Sequence, residues 1–178
     1  MYTKSDITKK LQEKFPEIKN PFALPKLEKV AINMRVAEAR ENQAVLDAAA
    51  AELAAIVGQK PKICRAKKSI SGFKLRQNDP LALKVTLRGK RMFDFVERLF
   101  NLVMPRLRDF KGLPQSSFDG GGNFNIGLKD HTVFPEIDVN KVGKGRGMQI
   151  TLVTKAKNQE EAKVLLEVLG LPLSKVKN

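Results

Sequence analysis

The fold of this chain is decided by two stretches of eight residues, Lys29-Val30-Ala31-Ile32-Asn33-Met34-Arg35-Val36 and Leu81-Ala82-Leu83-Lys84-Val85-Thr86-Leu87-Arg88. In both stretches an apolar residue occupies every second position, and small, polar or basic residues occupy the positions between. A period of two is typical of a half-buried β-strand. If both strands lie in one sheet, the uncovered face is polar and positively charged and carries almost no carboxylate. Such a face suits a large anion.

The positive charge of the chain is concentrated in one region. The 178 residues carry a formal net charge of +14, and between positions 60 and 91 there are eleven basic residues against one acid, Asp79. The basic residues of this region are Lys60, Lys62, Arg65, Lys67, Lys68, Lys74, Arg76, Lys84, Arg88, Lys90 and Arg91. A solvated face usually mixes both signs, because a cluster of one sign repels itself. The cluster therefore favours a polyanion, and nucleic acid is the first candidate.

Length and composition predict one domain over residues 1–178, with an N-terminal helix and arm in residues 1–25. The lone cysteine, Cys64, cannot form an internal disulfide, and the first twenty residues mix charged with apolar positions. No segment approaches the length of about 20 apolar residues that crosses a bilayer. We therefore expect a cytoplasmic protein that needs no cofactor and does not enter a membrane.

Apolar periodicity and the positions of proline and glycine predict the order of helices and strands. Helices are expected near residues 3–15, 45–57, 92–103 and 158–169, and strands near 29–36, 62–66, 81–88, 123–128 and 149–155. The third helix carries an apolar stripe and is expected to stop at Pro105; the stripe is Met92, Phe93, Val96, Leu99, Phe100 and Val103. The order predicts an α+β fold, similar to the ferredoxin and RNA-recognition-motif arrangement. It has a largely antiparallel sheet of about five strands, helices packed on one face and the other face open.

Groups suited to catalysis are few. His131 is the only histidine, and in a loop beside Asp130 we expect it to be incidental or a surface contact. Cys64 is expected to be a small packing residue in a strand. Since there is no Cys or His cluster either, the sequence predicts no catalytic residue and no metal site.

Three further motifs also have ordinary interpretations. Neither Gly120-Gly121-Gly122 nor Gly143-Lys144-Gly145-Arg146-Gly147 has the spacing of a nucleotide-binding loop, so both are interpreted as flexible loops. Glu136 and Asp138 are interpreted as a solvated pair on one strand face. The chain is therefore not expected to be an enzyme.

The predicted open face carries Lys, Asn, Arg, Thr, Gln and Ala but no aromatic residue on which a base could stack. Donors and cations without stacking platforms favour the backbone and 2′-hydroxyls of folded RNA. No recognition helix of a helix-turn-helix type is evident. DNA binding stays open, as do a general RNA chaperone or architectural nucleic-acid-binding protein and a small enzyme acting on an anionic substrate.

Several motifs, in order from about residue 25 to 162, resemble the bacterial family of large-subunit ribosomal protein L five. These motifs are Gly58-Gln59-Lys60-Pro61, the run from Lys67 to Arg76, Lys84-Val85-Thr86-Leu87-Arg88-Gly89, Pro105-Arg106-Leu107-Arg108-Asp109-Phe110, Ser117-Phe118-Asp119-Gly120 and Phe134-Pro135-Glu136-Ile137-Asp138. Because the motifs are separate and agree in order, the resemblance is specific.

The resemblance implies a structural protein that binds 5S rRNA and anchors it in the central protuberance, beside 23S rRNA and other proteins of that region. It assigns 5S rRNA binding to Asn33, Gln59 and Thr86, with Lys60 and Arg88 as neighbouring phosphate contacts and Lys29 and Lys84 on the same face. Contact with the tRNA in the peptidyl site maps to Gly72, Phe73, Lys74, Arg76 and Gln77. A bridge to a protein of the small-subunit head maps to Lys141, Lys144 and Arg146. Asn78 stands where the family usually has glycine, and asparagine tolerates the same left-handed backbone.

Overall fold

The computed structural model describes residues 4–18, 20–40, 42–108, 110–139 and 142–174, with side chains from residue 7 onward. The helices are α1 (Lys4–Lys14), α2 (Gln43–Val57), α3 (Gly89–Arg98) and α4 (Gln159–Val168), and the strands are β1 (Lys26–Arg35), β2 (Lys62–Arg65), β3 (Pro80–Leu87), β4 (Phe124–Leu128) and β5 (Met148–Lys155). The predicted order of helices and strands is confirmed. Thr3, the first residue of the predicted N-terminal helix, lies outside the described residues.

The five strands form one open antiparallel sheet in the order β2-β3-β1-β5-β4. Strands β1, β3, β4 and β5 each have one buried side, as their sequence alternation predicts, whereas β2 has no buried residue. In β3, Leu83, Val85 and Leu87 are buried, whereas Lys84 is exposed and Thr86 is half-buried. In β1 the burial alternates in the same way from Lys29 to Arg35. The predicted α+β fold with one open sheet face is therefore confirmed.

The packing divides the chain into two compact units. Unit 1 contains residues 1–30, 87–126 and 151–178, and unit 2 contains residues 31–86 and 127–150. Four strands, β1, β3, β4 and β5, pass from one unit into the other, whereas β2 lies within unit 2. The expectation of a single domain stays a prediction.

Unit 1 is built on contacts between α1 and α4 and on the apolar side of α3. The predicted stripe of α3 is mostly confirmed, but Phe95 is buried and Phe93 only half-buried. The α-helix ends at Arg98 and continues as a π-helical segment, Leu99–Val103, before Pro105 enters a short 3₁₀ turn. The π-helical segment keeps the same side toward the core, since Leu99, Phe100 and Val103 are all buried.

Unit 2 is built on α2, and this helix is capped at both ends. The side chain of Asn42 accepts a hydrogen bond from the backbone N–H of Ala44 at 2.9 Å. Gly58 closes the helix in the left-handed conformation, with φ of 68°, and donates its N–H to the carbonyl of Ala54. The buried side of the helix consists of Leu46, Ala49, Leu53, Ile56 and Val57.

One interpretation of the sequence is wrong about local structure in unit 2. Glu136 and Asp138 do not share a strand face, because the chain there forms turns after the 3₁₀ segment His131–Val133. The motif contains Pro135, which lacks a backbone donor and so does not favour a paired strand.

Candidate nucleic-acid interface

The open side of β1 and β3 in unit 2 presents hydrogen-bond donors that have no partner in the described protein. Asn33 and Thr86 are half-buried, and Lys84 is exposed. None of the described residues forms a hydrogen bond or ion pair with these three side chains. Because the neighbouring side chains of each strand are buried, the backbone fixes the direction in which these three point. This surface can therefore bind a ligand without first breaking internal hydrogen bonds.

Strand β2 adds positive charge to the same side of the sheet. It pairs with β3 so that Lys62 lies opposite Lys84 and Cys64 opposite Ala82, and the register then shifts before Arg65. Directly opposed residues share a face, so both lysines lie on the open side. Cys64 is half-buried in β2, opposite the small residue Ala82.

Gln59 and Lys60 precede β2 and are positioned by the end of α2. Gly58 turns the chain out of the helix, and the next two residues lead to Pro61, which is buried. Gln59 is half-buried and Lys60 is exposed. The predicted 5S rRNA contacts of unit 2 are thus all accessible at the surface: Asn33, Gln59, Lys60, Lys84 and Thr86.

In unit 1, Lys29 is half-buried on β1, and Arg88 lies between β3 and α3. The Arg88 side chain is 58% exposed, and its Nη1 lies 3.4 Å from the carboxylate of Glu28, whose side chain is also exposed. Exposed pairs of this kind are weak, so the contact leaves Arg88 free to exchange partners. Sequence reasoning missed Glu28, since the two positions are sixty residues apart in the chain.

The predicted loop between β2 and β3 is a small, internally bonded hairpin. Ile70 and Leu75 exchange two backbone hydrogen bonds, of 2.9 and 3.1 Å. The tip between them is a 3₁₀ turn, Ser71–Phe73, closed by Lys74 in the left-handed conformation. The Phe73 ring is 74% exposed. The tip therefore has a defined backbone shape, and it presents an exposed aromatic ring beside cations.

The base of this hairpin is held by polar side chains. The carboxylate of Asp79 accepts the N–H of Arg76 at 2.8 Å, and the hydroxyl of Ser69 accepts the N–H of Gln77 at 2.9 Å. Asn78 has a φ of 71°, in the left-handed region that asparagine tolerates. From outside the hairpin, Arg40 donates to the carbonyls of Phe73 and Lys74 at 2.9 and 3.0 Å. No sequence motif predicted this role for Arg40.

The loop over residues 142–147 carries two of the contacts predicted for the bridge to the small subunit, Lys144 and Arg146. Lys144 Nζ lies 2.6 Å from the Glu38 carboxylate, and the hydrogen bond and charge of Lys144 lower the pKa of Glu38. Lys144 is nevertheless largely exposed. Lys141 lies outside the described residues.

Arg146 is directed inward, toward a buried group that sequence reasoning misjudged. His131 is fully buried, so its interpretation as an incidental or surface residue is wrong. Its Nδ1 accepts the backbone N–H of Arg146 at 3.0 Å, so the proton is on Nε2, which donates to Glu52 Oε2 at 3.1 Å. Arg146 Nη1 donates to the same oxygen at 2.7 Å, and the Arg146 side chain is 11% exposed. This cluster of Glu52, His131 and Arg146 fixes the loop.

At position 145 the same loop passes so close to Asp130 that any larger residue would force the Asp130 side chain to move. A Cβ atom there would lie 2.5 Å from a carboxylate oxygen of Asp130, far inside van der Waals contact. Asp130 is itself held by accepting the N–H of Thr132 at 2.9 Å. The glycines around Lys144 therefore include one that serves close packing, which the interpretation as a flexible loop did not foresee.

Among residues 4–18, 20–40, 42–108, 110–139 and 142–174, no group of three or more metal-ligating side chains is placed to hold an ion. None of the helices in this part of the chain has both the length and the apolarity that a bilayer crossing requires. The fold and the open face define a class of protein: a basic α+β protein whose sheet presents cations and donors suited to the backbone of a nucleic acid.

Comparisons with known proteins identify the family. A family model described as "Ribosomal protein L5" matches residues 20–76, and a second model, which describes the C-terminus of the same ribosomal protein family, matches residues 80–173. Three curated relatives carry the name "Large ribosomal subunit protein uL5". The protein of a Thermoanaerobacter species is 52% identical over 170 residues, which are 96% of this chain and 94% of the relative. That of Fusobacterium nucleatum is 55% identical over 159 residues, 89% and 87% of the two chains. That of Caldanaerobacter subterraneus is 53% identical over 170 residues, 96% and 94%.

The chain therefore belongs to the ribosomal protein L5 family. Membership confirms the resemblance found in the sequence. It also confirms that the chain is a structural protein rather than an enzyme.

Proposed function

We propose that the open sheet face binds 5S rRNA and anchors it in the central protuberance of the large ribosomal subunit, beside 23S rRNA and other proteins of that region. As a member of its family the chain is a constituent of the large subunit, and so of the cytoplasmic ribosome of bacteria, and it associates with ribosomal RNA. The observation that carries the finer proposal is the set of donors on β1 and β3, Asn33, Lys84 and Thr86, which lie at the surface with no internal partner among the described residues.

The chemistry of this face favours the backbone of a folded RNA. Lys60, Lys84 and Arg88 supply charge for phosphates, and with Lys29 they account for most of the affinity and make it salt-dependent. The short polar side chains of Asn33, Gln59 and Thr86 exchange hydrogen bonds with 2′-hydroxyls and base edges of a wide, shallow minor groove. These uncharged contacts set the register of the RNA on the sheet.

The hairpin between β2 and β3 contacts the tRNA in the peptidyl site. Internal hydrogen bonds hold its tip, Gly72 with Phe73, in one shape, so little order has to be created on binding. The exposed Phe73 ring can stack on a base or ribose, while Lys74 and Arg76 meet phosphates. The backbone N–H of Gln77 donates to the Ser69 hydroxyl, and this hydrogen bond fixes the position of the Gln77 backbone.

The loop over residues 142–147 takes part in a bridge to a protein of the small-subunit head. Lys144 is its exposed cation, and an acidic partner would compete with Glu38 for it. Arg146 holds the loop in place by donating to Glu52. Lys141, which lies outside the described residues, is part of the same proposed bridge.

Titration of 5S rRNA with single variants tests the proposal. Asn33→Ala and Thr86→Ala should each weaken binding by about 1–2 kcal/mol, the value of a hydrogen bond at a wet interface. Thr132→Ala, a half-buried threonine outside the sheet, is the matched control and should leave affinity unchanged. Unchanged affinity of both sheet variants would remove these residues from the interface.

Competition separates 5S rRNA binding from general RNA binding. At about 0.2 M salt the protein should prefer 5S rRNA to an unrelated RNA of equal length, because non-specific contacts weaken most as salt rises. Equal competition by the two RNAs would instead favour a general RNA chaperone. Sedimentation with large subunits, accompanied by 5S rRNA, tests the same proposal in a cell extract.

A further inference from the structure

Two lysines face each other directly across β2 and β3. Lys62 and Lys84 are Cα partners in the antiparallel ladder, and both are exposed on the open side of the sheet. Opposed residues of such a pair have Cβ atoms about 4.5–5.5 Å apart, and like charges there destabilise the pairing. In the free protein the two ammonium groups therefore repel each other, and this repulsion opposes the pairing of β2 with β3.

No acid of the described protein relieves this repulsion. Neither lysine forms an ion pair with any described residue, and the next pair on the same face of the ladder, Cys64 with Ala82, is uncharged. Other surface cations differ in this respect, since Lys144 has a carboxylate partner in Glu38. The two ammonium groups are thus left for a ligand of opposite charge.

Protection of the sheet edge against pairing with another chain explains one of the two lysines but not the other. β2 is an edge strand, and an exposed lysine on an edge discourages pairing with another chain. This accounts for Lys62. It does not account for Lys84, because β3 lies between β2 and β1 and has no free edge.

We propose that Lys62 and Lys84 together hold a single phosphate group of the RNA backbone. The inference rests on the proposed function, and it adds Lys62, which no family motif named, as a binding residue. Two ammonium groups that start from opposed positions converge on one anion, and a phosphate between them replaces their repulsion with two charge-assisted hydrogen bonds. Thr86, two residues along β3 on the same side, then lies beside the adjoining ribose.

The test uses the full chain and four variants, Lys62→Gln, Lys84→Gln, the double variant, and Lys9→Gln as a matched control. Lys9 is an exposed lysine of α1, so it carries the same charge change at another place. Two quantities are measured for each protein: the thermal midpoint of the free protein at low salt, and the slope of the logarithm of the 5S rRNA binding constant against the logarithm of salt concentration.

The proposal expects a distinctive pattern. Each single variant raises the midpoint of the free protein, because the like-charge pair is gone, and the control does not. Either remaining lysine still neutralises the phosphate, so single variants change the salt slope little, whereas the double variant lowers its magnitude by about 0.9. The double variant also binds about tenfold more weakly.

Three results would overturn the proposal. A double variant with the wild-type slope would mean that neither lysine meets a phosphate. Single variants that each lower the slope by about 0.9 would mean two separate phosphates. Single variants with an unchanged midpoint would mean that no repulsion exists to be relieved.

The design separates this inference from the proposed function. Loss of preference for 5S rRNA over the unrelated RNA would refute the proposed function. The slope change of the double variant would still appear on either RNA, because a phosphate contact is independent of sequence.

Discussion

Removal of the Glu52 carboxylate is expected to destabilise the protein strongly, although Glu52 is no part of the proposed interface. One oxygen of Glu52 accepts from both His131 Nε2 at 3.1 Å and Arg146 Nη1 at 2.7 Å. In Glu52→Ala both donors lose their acceptor while they remain almost completely enclosed. Arg146 already has one buried nitrogen, Nε, without a hydrogen bond among the described residues. The variant would thus leave a largely buried cation without its hydrogen-bonded carboxylate.

The magnitude follows from burial. Loss of one partner of a buried ion pair costs about 3–5 kcal/mol. The loss of two hydrogen bonds to a charged group, at about 1.5–3 kcal/mol each, gives the same order. Glu52 is 17% and Arg146 11% exposed, so water can relieve part of the cost. We therefore expect a decrease of about 3 kcal/mol in the free energy of unfolding, at the low end of the range.

Urea unfolding at neutral pH measures this effect. The midpoint should fall with an unchanged slope, since the surface exposed on unfolding stays the same. Glu13→Ala, an exposed position of α1, is the control and should stay within about 0.5 kcal/mol of the wild type. The double variant Glu52→Ala with Arg146→Met should be less destabilised than the sum of the single variants, because the cation itself is gone. A loss below about 1 kcal/mol in Glu52→Ala would refute the idea that this cluster holds the loop.

Three further outcomes are expected. Asn78→Val should lower stability by about 1–2 kcal/mol in urea unfolding and Asn78→Gly should not, because φ is 71° there and a β-branched residue resists the left-handed backbone. Hydrogen bonds from Asn123 and Gly121 lower the pKa of Asp119 below its unfolded value. The stability that wild type gains from this carboxylate over Asp119→Asn should therefore be fully present above the unfolded pKa, about 3.9. This pH-dependent part of the difference should be lost as pH falls through the folded pKa. Lys74→Ala and Arg76→Ala should spare 5S rRNA binding and weaken tRNA contact in footprinting of assembled ribosomes; loss of 5S rRNA binding instead would show that the hairpin is misassigned.

Strand positions were predictable because their signal is local. The alternation around Asn33 and Thr86 specifies both the strand and the side on which each residue lies, since a shift of one residue would bury lysine in place of leucine. The left-handed backbone of Asn78 obeys a local rule as well, because few residues other than glycine and asparagine tolerate that conformation. In both cases the physical constraint acts within a few residues of the chain.

The role of His131 was not predictable, because its partners come from distant parts of the sequence. Glu52 lies 79 residues away and Arg146 lies 15 residues away, and no periodic pattern connects them. The predicted end of α3, at Pro105, was wrong for a different reason. The apolar stripe continues through the π-helical segment Leu99–Val103, so periodicity alone does not reveal that the hydrogen-bond pattern changes after Arg98.

Several arginines of the described protein bind internal acceptors, whereas two lysines of the open face do not. Arg40, Arg65 and Arg146 each donate to a carbonyl or carboxylate of the protein itself, where a rigid planar group with several donors is well suited. Lys62 and Lys84 have no such partner among the described residues, and a flexible, strongly hydrated ammonium group can adjust to a phosphate. A count of basic residues in the sequence therefore overstates the charge available to RNA. The salt dependence of 5S rRNA binding should therefore reflect the lysines of the open face together with Arg88, and variants of Arg40, Arg65 and Arg146 should act first on stability.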